Sequence, residues 1–247
     1  MQEKIRINKY IAQSGLASRR GADELILEKK VRLNGKIVLE PGVLVDGRDE
    51  VTVNGQKIVH SKDFYMVFYK PPGYITTKSD EKGRKTIYEF IPERYQHLKP
   101  TGRLDKDSSG LLLMTNDGDL IQKMTHPKIK VAKVYRVAVR GRVSIKQLER
   151  LAEGIEIEPG KTAYATSVLL EATKEKSEIE ITLYQGYNRQ IRRMMELIGH
   201  PVISLKRIQH ATLTLHGMNR GDYQFLSPRQ IQELKNHLKK LEVVPKV

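Results

Sequence analysis

The sequence has 247 residues, enough for one large or two modest domains with a real hydrophobic core. It contains no cysteine, which excludes disulfides, thiolate catalysis and cysteine-ligated zinc, and no apolar run approaches the roughly 18 residues that a membrane span needs. The formal net charge of +15 favours a polyanionic partner, because neutralised phosphates release counterions. Charge begins at the third residue, so we expect no secretory signal.

Residues 1–60 predict a small separate domain of two helices and a twisted sheet. Residues 7–15 (INKYIAQSG) carry apolar residues at helical spacing and end at a glycine suited to a helix C-cap. Ser18 is placed to cap a second helix within residues 17–30. The dipeptide Asn-Gly then occurs at 34–35 and again at 54–55, each time between short β patterns, which predicts two tight hairpins.

Basic residues of this small domain are candidates for phosphate contact. Arg19 and Arg20 stand at a predicted helix N-terminus, where the macrodipole disfavours a cation by roughly a few tenths of a kcal/mol. A phosphate contact explains the pair better than a solvated helix face does. The sequence therefore predicts nucleic-acid contacts from Lys9, Arg19, Arg20 and Lys36.

Residues 61–247 predict a larger domain of the α+β class with a mainly antiparallel, mixed sheet flanked by helices. Strand patterns occupy FYMVFYK (64–70), GLLLMT (110–115), KVYRVAVRG (133–141), SEIEITLYQG (177–186) and ATLTL (211–215). Helical patterns occupy DLIQKM (119–124), SIKQLERLAEG (144–154), RQIRRMMELIGHP (189–201) and SPRQIQELKNHLKKL (227–241). Ser144 and Ser227 are placed to cap the second and the fourth of these helices. This irregular succession argues against βαβ units, and neither a G-x-G-x-x-G nor a P-loop motif occurs, so we expect no nucleotide cofactor.

The acidic segment GRLDKDSSG (102–110) precedes a run of leucines and admits three interpretations. Asp105 and Asp107 fit ligand positions of a calcium loop, but its twelfth position is Asn116 rather than glutamate, which disfavours a metal. A plain turn closed by Asp107 explains part of the segment. A third interpretation is chemical: Arg103 and Asp105 lie two residues apart on one face of an extended segment, and a neighbouring arginine keeps a carboxylate ionised as nucleophile or base.

A second basic region supports the chemical interpretation. Between residues 186 and 207 the only acid is Glu196, and the bases are Arg189, Arg192, Arg193, Lys206 and Arg207. A surface helix usually mixes the two signs of charge. This region therefore predicts a phosphate-binding site near one anionic group.

Four motifs, in the order in which they occur, resemble those of the RNA pseudouridine synthases. YKPPGY (69–74) is similar to the lysine-proline motif of that family, and GRLDKDSSGLLLMTNDGDL (102–120) resembles its catalytic motif. KVYRV (133–137) is similar to its tyrosine motif and NRQIRRM (188–194) to its arginine motif. The closest branch is the RsuA type, which modifies ribosomal RNA, and the first sixty residues resemble the small RNA-binding domain named after ribosomal protein S4. One departure is Gln185, where many members have glutamate.

The resemblance implies catalytic roles for three residues: Asp105 acts on the sugar or base, Arg192 partners its carboxylate, and Tyr135 stacks on uracil and handles a proton. From the residues alone, ordinary strand packing is the favoured role of Tyr135, and only the resemblance reverses this; Arg193 competes with Arg192. Arg103 is expected to help extrude the stacked uridine. The remaining candidates for RNA contact are Lys70, Arg189, Arg193, Lys206 and Arg207. No cofactor and no metal are expected, because the isomerisation needs neither redox change nor energy input.

The expected function is therefore conversion of a uridine to pseudouridine in ribosomal RNA, with the large-subunit 23S RNA favoured over the small-subunit 16S RNA. We expect a cytoplasmic monomer that meets its RNA within a ribosomal assembly intermediate and has no membrane partner. The competing classes are a non-catalytic RNA-binding or ribosome-assembly protein and a metal-dependent nuclease.

Overall fold

The computed structural model describes residues 4–59 and 62–243, and these form two units. One unit comprises the chain through Phe64 together with Asn116–Gly118. The other comprises Tyr65–Thr115 and the residues from Asp119 onward. No helix within the described ranges is both long enough and apolar enough to cross a membrane.

The smaller unit contains two helices and six short strands. The helices are α1 (Ile7–Gln13) and α2 (Arg19–Leu27). The strands are β1 (Ile5–Arg6), β2 (Val31–Leu33), β3 (Lys36–Ile37), β4 (Leu44–Val45), β5 (Val51–Val53) and β6 (Gln56–Lys57). They form a β1–β4 pair and a four-stranded sheet in the order β3-β2-β5-β6, and the apolar faces of both helices pack in one core with the strands.

Local sequence signals explain the turns of this unit. Ser18 accepts a hydrogen bond from the Gly21 N–H at 3.0 Å and caps α2, as predicted. Both residues of each Asn-Gly dipeptide have positive φ, between 50° and 81°, which is the backbone of the tight hairpin turn that fits the strand twist. Both predicted hairpins are confirmed, β2–β3 at residues 34–35 and β5–β6 at 54–55.

The larger unit is built on a nine-stranded sheet. Its main path runs β13-β14-β10-β15-β9-β7-β17, with β16 on β15 and β8 on β9. The strands are β7 (Tyr65–Lys70), β8 (Lys99–Pro100), β9 (Ser109–Thr115), β10 (Lys133–Arg140), β13 (Thr166–Ala172), β14 (Lys176–Leu183), β15 (Val202–His210), β16 (Leu213–Thr214) and β17 (Tyr223–Phe225). A separate hairpin pairs β11 (Ile155–Glu158) with β12 (Lys161–Ala163). Among the described strands of the large sheet only β15 and β9 pair in parallel, which confirms an α+β fold with a mainly antiparallel sheet.

Four α-helices cover this sheet: α3 (Gly118–Thr125), α4 (Ile145–Glu153), α5 (Gln190–Leu197) and α6 (Pro228–Val243). Helices α4 and α5 pack with β10 and β14 in one core, and α3 and α6 pack with β7 and β9 in another. Ser144 and Gln147 form a capping box that begins α4, and Ser227 accepts from the Gln230 N–H ahead of Pro228 in α6. Both caps were predicted.

The strand predictions fail at several places in the larger unit. Strand β15 lies in the middle of the sheet, yet no strand was predicted there, because Lys206, Arg207 and His210 interrupt its apolar pattern. Strand β13 was also missed. The predicted strand at 211–215 is shortened to Leu213–Thr214, because Ala211 adopts a positive φ of 53° and turns the chain.

Gly110 permits the close approach of β9 and β15. Its φ is +118°, which L-residues rarely adopt, and a Cβ placed there would lie under 3.0 Å from three backbone atoms of Arg207. Gly110 and Arg207 are partners in the parallel pairing. Backbone atoms on the partner strand cannot move aside as a flexible side chain could, so this contact between the strands requires glycine.

We expect Gly110→Ala to destabilise the fold by at least about 3 kcal/mol, because the new methyl group combines a disallowed φ with a clash against backbone. For a chain of this size such a loss lowers the melting temperature by roughly 6–12 °C, measurable by circular dichroism. Gly118→Ala is the matched control, since beyond its chain neighbours and its own helix backbone no atom lies within 4 Å of its Cβ position. Equal melting temperatures for the two variants would refute the close-approach argument.

Candidate active site

A cavity of about 450 Å³ opens in the larger unit. Its walls come from the loop 101–108 before β9, the segment after α3, strands β10 and β15, and the residues that lead into α5. Of the residues predicted from sequence, the cavity brings together Arg103, Asp105, Tyr135, Arg189 and Arg207. Lys70, Arg192, Arg193 and Lys206 lie outside its lining.

The loop that carries Asp105 is held at the residue before it. Leu104 is buried in the core formed with α4 and α5. Its carbonyl accepts a hydrogen bond from Thr76 Oγ1 at 2.8 Å, and its N–H donates to the same oxygen at 3.2 Å. One threonine hydroxyl therefore satisfies both backbone groups of Leu104 and fixes where the next residue points.

The same loop is held after Asp105 by the ammonium of Lys70. This lysine is fully buried, and its Nζ donates to the carbonyl oxygens of Pro71 (3.0 Å), Lys106 (3.3 Å) and Ser108 (2.7 Å). Burial lowers the pKa of Lys70 to about 8, while the nearby Asp105 and Asp107 oppose the shift. The prediction that Lys70 contacts RNA is wrong, because its side chain has no exposed surface and its charge is used inside the loop.

Asp105 itself is presented to the cavity on this fixed loop. It is partly exposed, and its backbone carbonyl accepts from the Ser108 N–H at 3.0 Å in a tight turn. In the part of the chain that the structure describes, its carboxylate accepts no hydrogen bond and forms no ion pair. The carboxylate is therefore available to a molecule in the cavity.

Arg192 binds the loop through backbone rather than through the carboxylate. Its guanidinium donates to the Asp107 carbonyl at 3.3 Å and to the Val202 carbonyl at 3.5 Å, and its Nε is buried without a partner among the described residues. Burial and Arg189 lower the pKa of Arg192, and Asp107 and Asp105 oppose that shift, so both carboxylates lie within range of its charge. The expected direct ion pair with Asp105 does not form within the described ranges.

Arg193, which the sequence left as the alternative to Arg192 for the role of partner to Asp105, points elsewhere. Its guanidinium forms an ion pair with Glu158 of β11 and donates to the Asn188 carbonyl at 3.4 Å. Glu158 also binds Lys161, and these two cations lower the pKa of Glu158 to about 2, with Lys161 the larger influence. The basic region therefore has an acid from a distant segment, which its own sequence does not reveal. Arg193 is a structural cation in this structure.

Tyr135 and Arg207 occupy adjacent strands under the cavity. They are cross-strand partners of β10 and β15, and both are buried. Arg207 Nε donates to the Leu111 carbonyl at 2.8 Å. Arg207 was predicted to contact RNA; with 2 % of its surface exposed, it can meet RNA only through the cavity.

The remaining predicted cations are closer to solvent. Arg103 and Arg189 are exposed where the cavity opens, and Lys206 places its Nζ over the Tyr69 ring at 5.7 Å from the centroid. In the smaller unit Arg19, Arg20 and Lys36 are exposed and Lys9 is partly buried. Arg19 and Arg20 make no ion pair within the described ranges, which leaves both guanidinium groups open to phosphate.

Sequence reasoning missed buried polar residues of the cavity that include Thr101, Ser108 and His210. Buried side-chain atoms without a hydrogen-bond partner among the described residues belong to Thr101, Ser108, Arg192, Arg207 and His210. All but Arg192 line the cavity. The only sequence signal was a polar residue inside an apolar strand pattern, which is too common to identify a site. No group of three or more metal-ligating side chains occurs in the ranges that the structure describes.

Comparison with known proteins gives consistent matches. Residues 64–197 match the RNA pseudouridylate synthase family, and residues 5–51 match the S4 domain. The chain is 47 % identical over 232 residues to the ribosomal large subunit pseudouridine synthase B of Bacillus subtilis (strain 168), covering 93 % of this chain and 95 % of the relative. It is 36 % identical to an uncharacterized RNA pseudouridine synthase of Aquifex aeolicus (strain VF5), covering 94 % of each.

A solved structure described as the crystal structure of a pseudouridylate synthase is similar over most of the fold. The TM-score is 0.68 at 27 % sequence identity, and the match covers 93 % of this chain and 99 % of that one. The likeness therefore extends over both the small unit and the unit that contains the cavity.

We expect Lys70→Met to loosen the loop that carries Asp105. Methionine keeps the volume but donates no hydrogen bond, so three carbonyls lose a donor, at about 1–3 kcal/mol for each that stays buried. Amide hydrogen exchange of residues 104–108 should quicken by at least about ten-fold, because local opening becomes easier, and the melting temperature should fall. Lys106→Met is the control, because the Lys106 side chain is exposed and should leave both quantities unchanged. Unaltered exchange in Lys70→Met would show that other contacts hold the loop.

Proposed function

Because the chain belongs to the RNA pseudouridylate synthase family, we propose that it converts a specific uridine of large-subunit (23S) ribosomal RNA to pseudouridine. The observation that carries the proposal is the placement of Asp105, on a loop fixed on both sides, at a cavity walled by Tyr135. The choice of the large subunit is supported by the 47 % identity to the Bacillus subtilis protein of that name.

The reaction requires positioning rather than a reagent. The bond between ribose C1′ and uracil N1 breaks, the base turns, and a bond forms between C1′ and C5. The proton on C5 leaves and N1 gains one, so substrate and product are isomers and nothing else is consumed. A site for this chemistry needs an anionic group at the sugar or base, a surface that holds the detached base, and a group that handles the C5 proton.

Asp105 supplies the anionic group. The contacts that hold the loop involve the loop's backbone atoms and not the Asp105 carboxylate, so this side chain remains uncommitted. Arg192 supports it at a distance, because its guanidinium donates to the Asp107 carbonyl and helps to hold the loop that carries Asp105. A preorganised anion of this kind can act at C1′ without reorganising the loop.

Tyr135 and Arg103 serve the base and its extrusion. The buried ring of Tyr135 offers uracil a stacking surface, and its hydroxyl can accept or relay the proton from C5. Arg103 is exposed at the mouth of the cavity, where it can fill the stack that a flipped uridine vacates. Arg189 and Lys206 contribute phosphate contacts nearby.

Residues 1–60 act as the RNA-binding domain and residues 61–247 as the catalytic domain. The match of residues 5–51 to the S4 domain supports the first assignment, together with the exposed Arg19, Arg20 and Lys36. We propose that the enzyme acts as a monomer. We place it in the cytoplasm on an assembly intermediate, where the target uridine is still accessible.

Asp105→Asn should abolish pseudouridine formation. The amide keeps the size and turn geometry of the carboxylate but removes its charge, so turnover should fall at least about 10³-fold while RNA binding persists. The assay maps pseudouridine in unmodified 23S and 16S transcripts, free and in partly assembled particles, after treatment with either enzyme. Wild-type product confined to the small-subunit RNA would overturn the choice of subunit.

The matched control is Asp107→Asn on the same loop. Asp107 is exposed and Arg192 binds only its backbone carbonyl, so most activity should remain. Full activity in Asp105→Asn would refute the catalytic assignment. RNA binding by a wild-type protein that forms no pseudouridine on any of these substrates would favour the non-catalytic alternative.

Replacing Arg19 and Arg20 together by alanine should flatten the salt dependence of RNA binding. Each lost phosphate contact lowers the slope of log affinity against log salt by about one unit, so a fall of roughly one to two units is expected. Lys239→Ala with Lys240→Ala is the control, since this pair is exposed and adjacent on α6. An unchanged slope in the arginine variant would remove the α2 N-terminus from RNA recognition.

A further inference from the structure

Three basic residues, Lys133, Arg207 and His210, lie together at the floor of the cavity and form the basic cluster. Lys133 of β10 is the cross-strand partner of His210 of β15, and Tyr135 is the partner of Arg207. The pairing of the two strands shifts between Val134 and Tyr135, so one extra residue of β15 lies between its two paired positions. Arg207 and His210 are three residues apart and would face opposite sides of a regular strand; this bulge lets both line the cavity.

Three buried polar atoms of this cluster lack hydrogen-bond partners among the described residues. Arg207 Nη2 and both ring nitrogens of His210 are buried and accept or donate no hydrogen bond among the described residues. His210 is 1 % exposed. Burial, and then the charges of Arg207 and Lys133, lower the pKa of His210 well below its usual value, so the imidazole is neutral. It therefore carries one N–H donor and one bare nitrogen acceptor.

No acidic residue of the cluster offsets the positive charge of Arg207 and Lys133. Burial and Arg207 lower the pKa of Lys133 to about 8, and Lys133 Nζ donates to the Val131 carbonyl at 3.2 Å. Asp105 is the only carboxylate among the described residues of the cavity lining. Buried polar groups without partners reduce stability, and such a cost is found where a ligand later supplies the missing bonds.

We propose that Arg207 and His210 bind the carbonyl and N3–H edge of the flipped uracil, with Lys133 adding positive charge beside them. This inference rests on the proposed function. Uracil offers two carbonyl acceptors and one N–H donor on that edge. The free N–H of Arg207 and the donor-acceptor pair of neutral His210 complement them, and the Tyr135 ring lies beside Arg207 on the neighbouring strand.

The same contacts serve the reaction once the base is detached. When the C1′–N1 bond breaks, the bonding electron pair stays with the base, and its charge spreads to both carbonyl oxygens. Arg207 and Lys133 face that charge in a buried setting, where a fixed donor is most effective. The base is thus retained while it turns to present C5. A phosphate is the weaker candidate for this position, because the exposed Arg103 and Arg189 already stand at the mouth.

The first test compares two buried histidines of the same unit. His200 is bonded through Nδ1 to the Arg140 carbonyl (2.9 Å) and through Nε2 to Gln147 (2.8 Å), and it lies outside the cavity lining. His200→Phe should lower the melting temperature and leave turnover per folded molecule unchanged. His210→Phe, which removes unpartnered nitrogens, should keep or raise the melting temperature.

Turnover by His210→Phe should fall about 10²-fold on an RNA hairpin that carries the mapped uridine, while the Kd for that RNA stays within about two-fold, because phosphate contacts dominate affinity. Wild-type turnover with a lowered melting temperature in His210→Phe would mean that the ring is merely structural. Absence of pseudouridine with the wild-type enzyme would instead overturn the proposed function, and this inference with it.

The second test changes the base instead of the protein. Sulfur is a poorer hydrogen-bond acceptor than oxygen, so 2-thiouridine or 4-thiouridine at the target should slow the wild-type enzyme by about ten-fold at the contacted position. Arg207→Gln and His210→Phe should each lose most of that sensitivity. Equal slowing of wild type and both variants, or a wild-type enzyme indifferent to both sulfur substitutions, would overturn the assignment.

Discussion

The buried ammonium of Lys70 is the constraint on which the site depends. A cation at the end of β7 gathers three carbonyls, so the loop turns its backbone inward and leaves its carboxylates outside. Lys70 pairs with Gly110 in the sheet, Gly110 with Arg207, and Arg207 with Tyr135. Four adjacent strands thus contribute one residue each to a single row. This row connects Lys70, which holds the Asp105 loop, to Arg207 and Tyr135, which line the cavity beside Asp105.

The basic residues of this protein have different roles, which composition alone does not distinguish. Lys70 organises a loop, and Arg193 is neutralised by Glu158. Arg207 is buried against the Leu111 carbonyl, whereas Arg19 and Arg20 reach solvent. A net charge of +15 indicates a polyanionic partner, yet only part of it can meet that partner directly. Burial and pairing determine which part.

The sequence predicted what short-range rules control. Ser18, Ser144 and the two Asn-Gly hairpins follow from capping and turn chemistry within a few residues. The resemblance to a known family located Asp105, Tyr135 and Arg192, whose catalytic roles stay predictions. What failed depends on distant partners: β15 is a strand because β9 and β10 flank it, although its own pattern is broken by charges. His210 had no signal, because its place in the cavity depends on a bulge that only pairing reveals.

The parallel pairing of β9 with β15 also determines when the site can form as the chain folds. The two strands are far apart in the chain, and the Arg207–Leu111 hydrogen bond spans 96 positions. Contacts of such sequence separation form late, because the entropy of closing the intervening chain must be overcome first. During synthesis the helices and hairpins before β15 can form as they emerge, but the floor of the cavity cannot close until His210 has left the ribosome. A nascent chain that ends before β15 therefore carries Asp105 and Tyr135 without the strand that joins them.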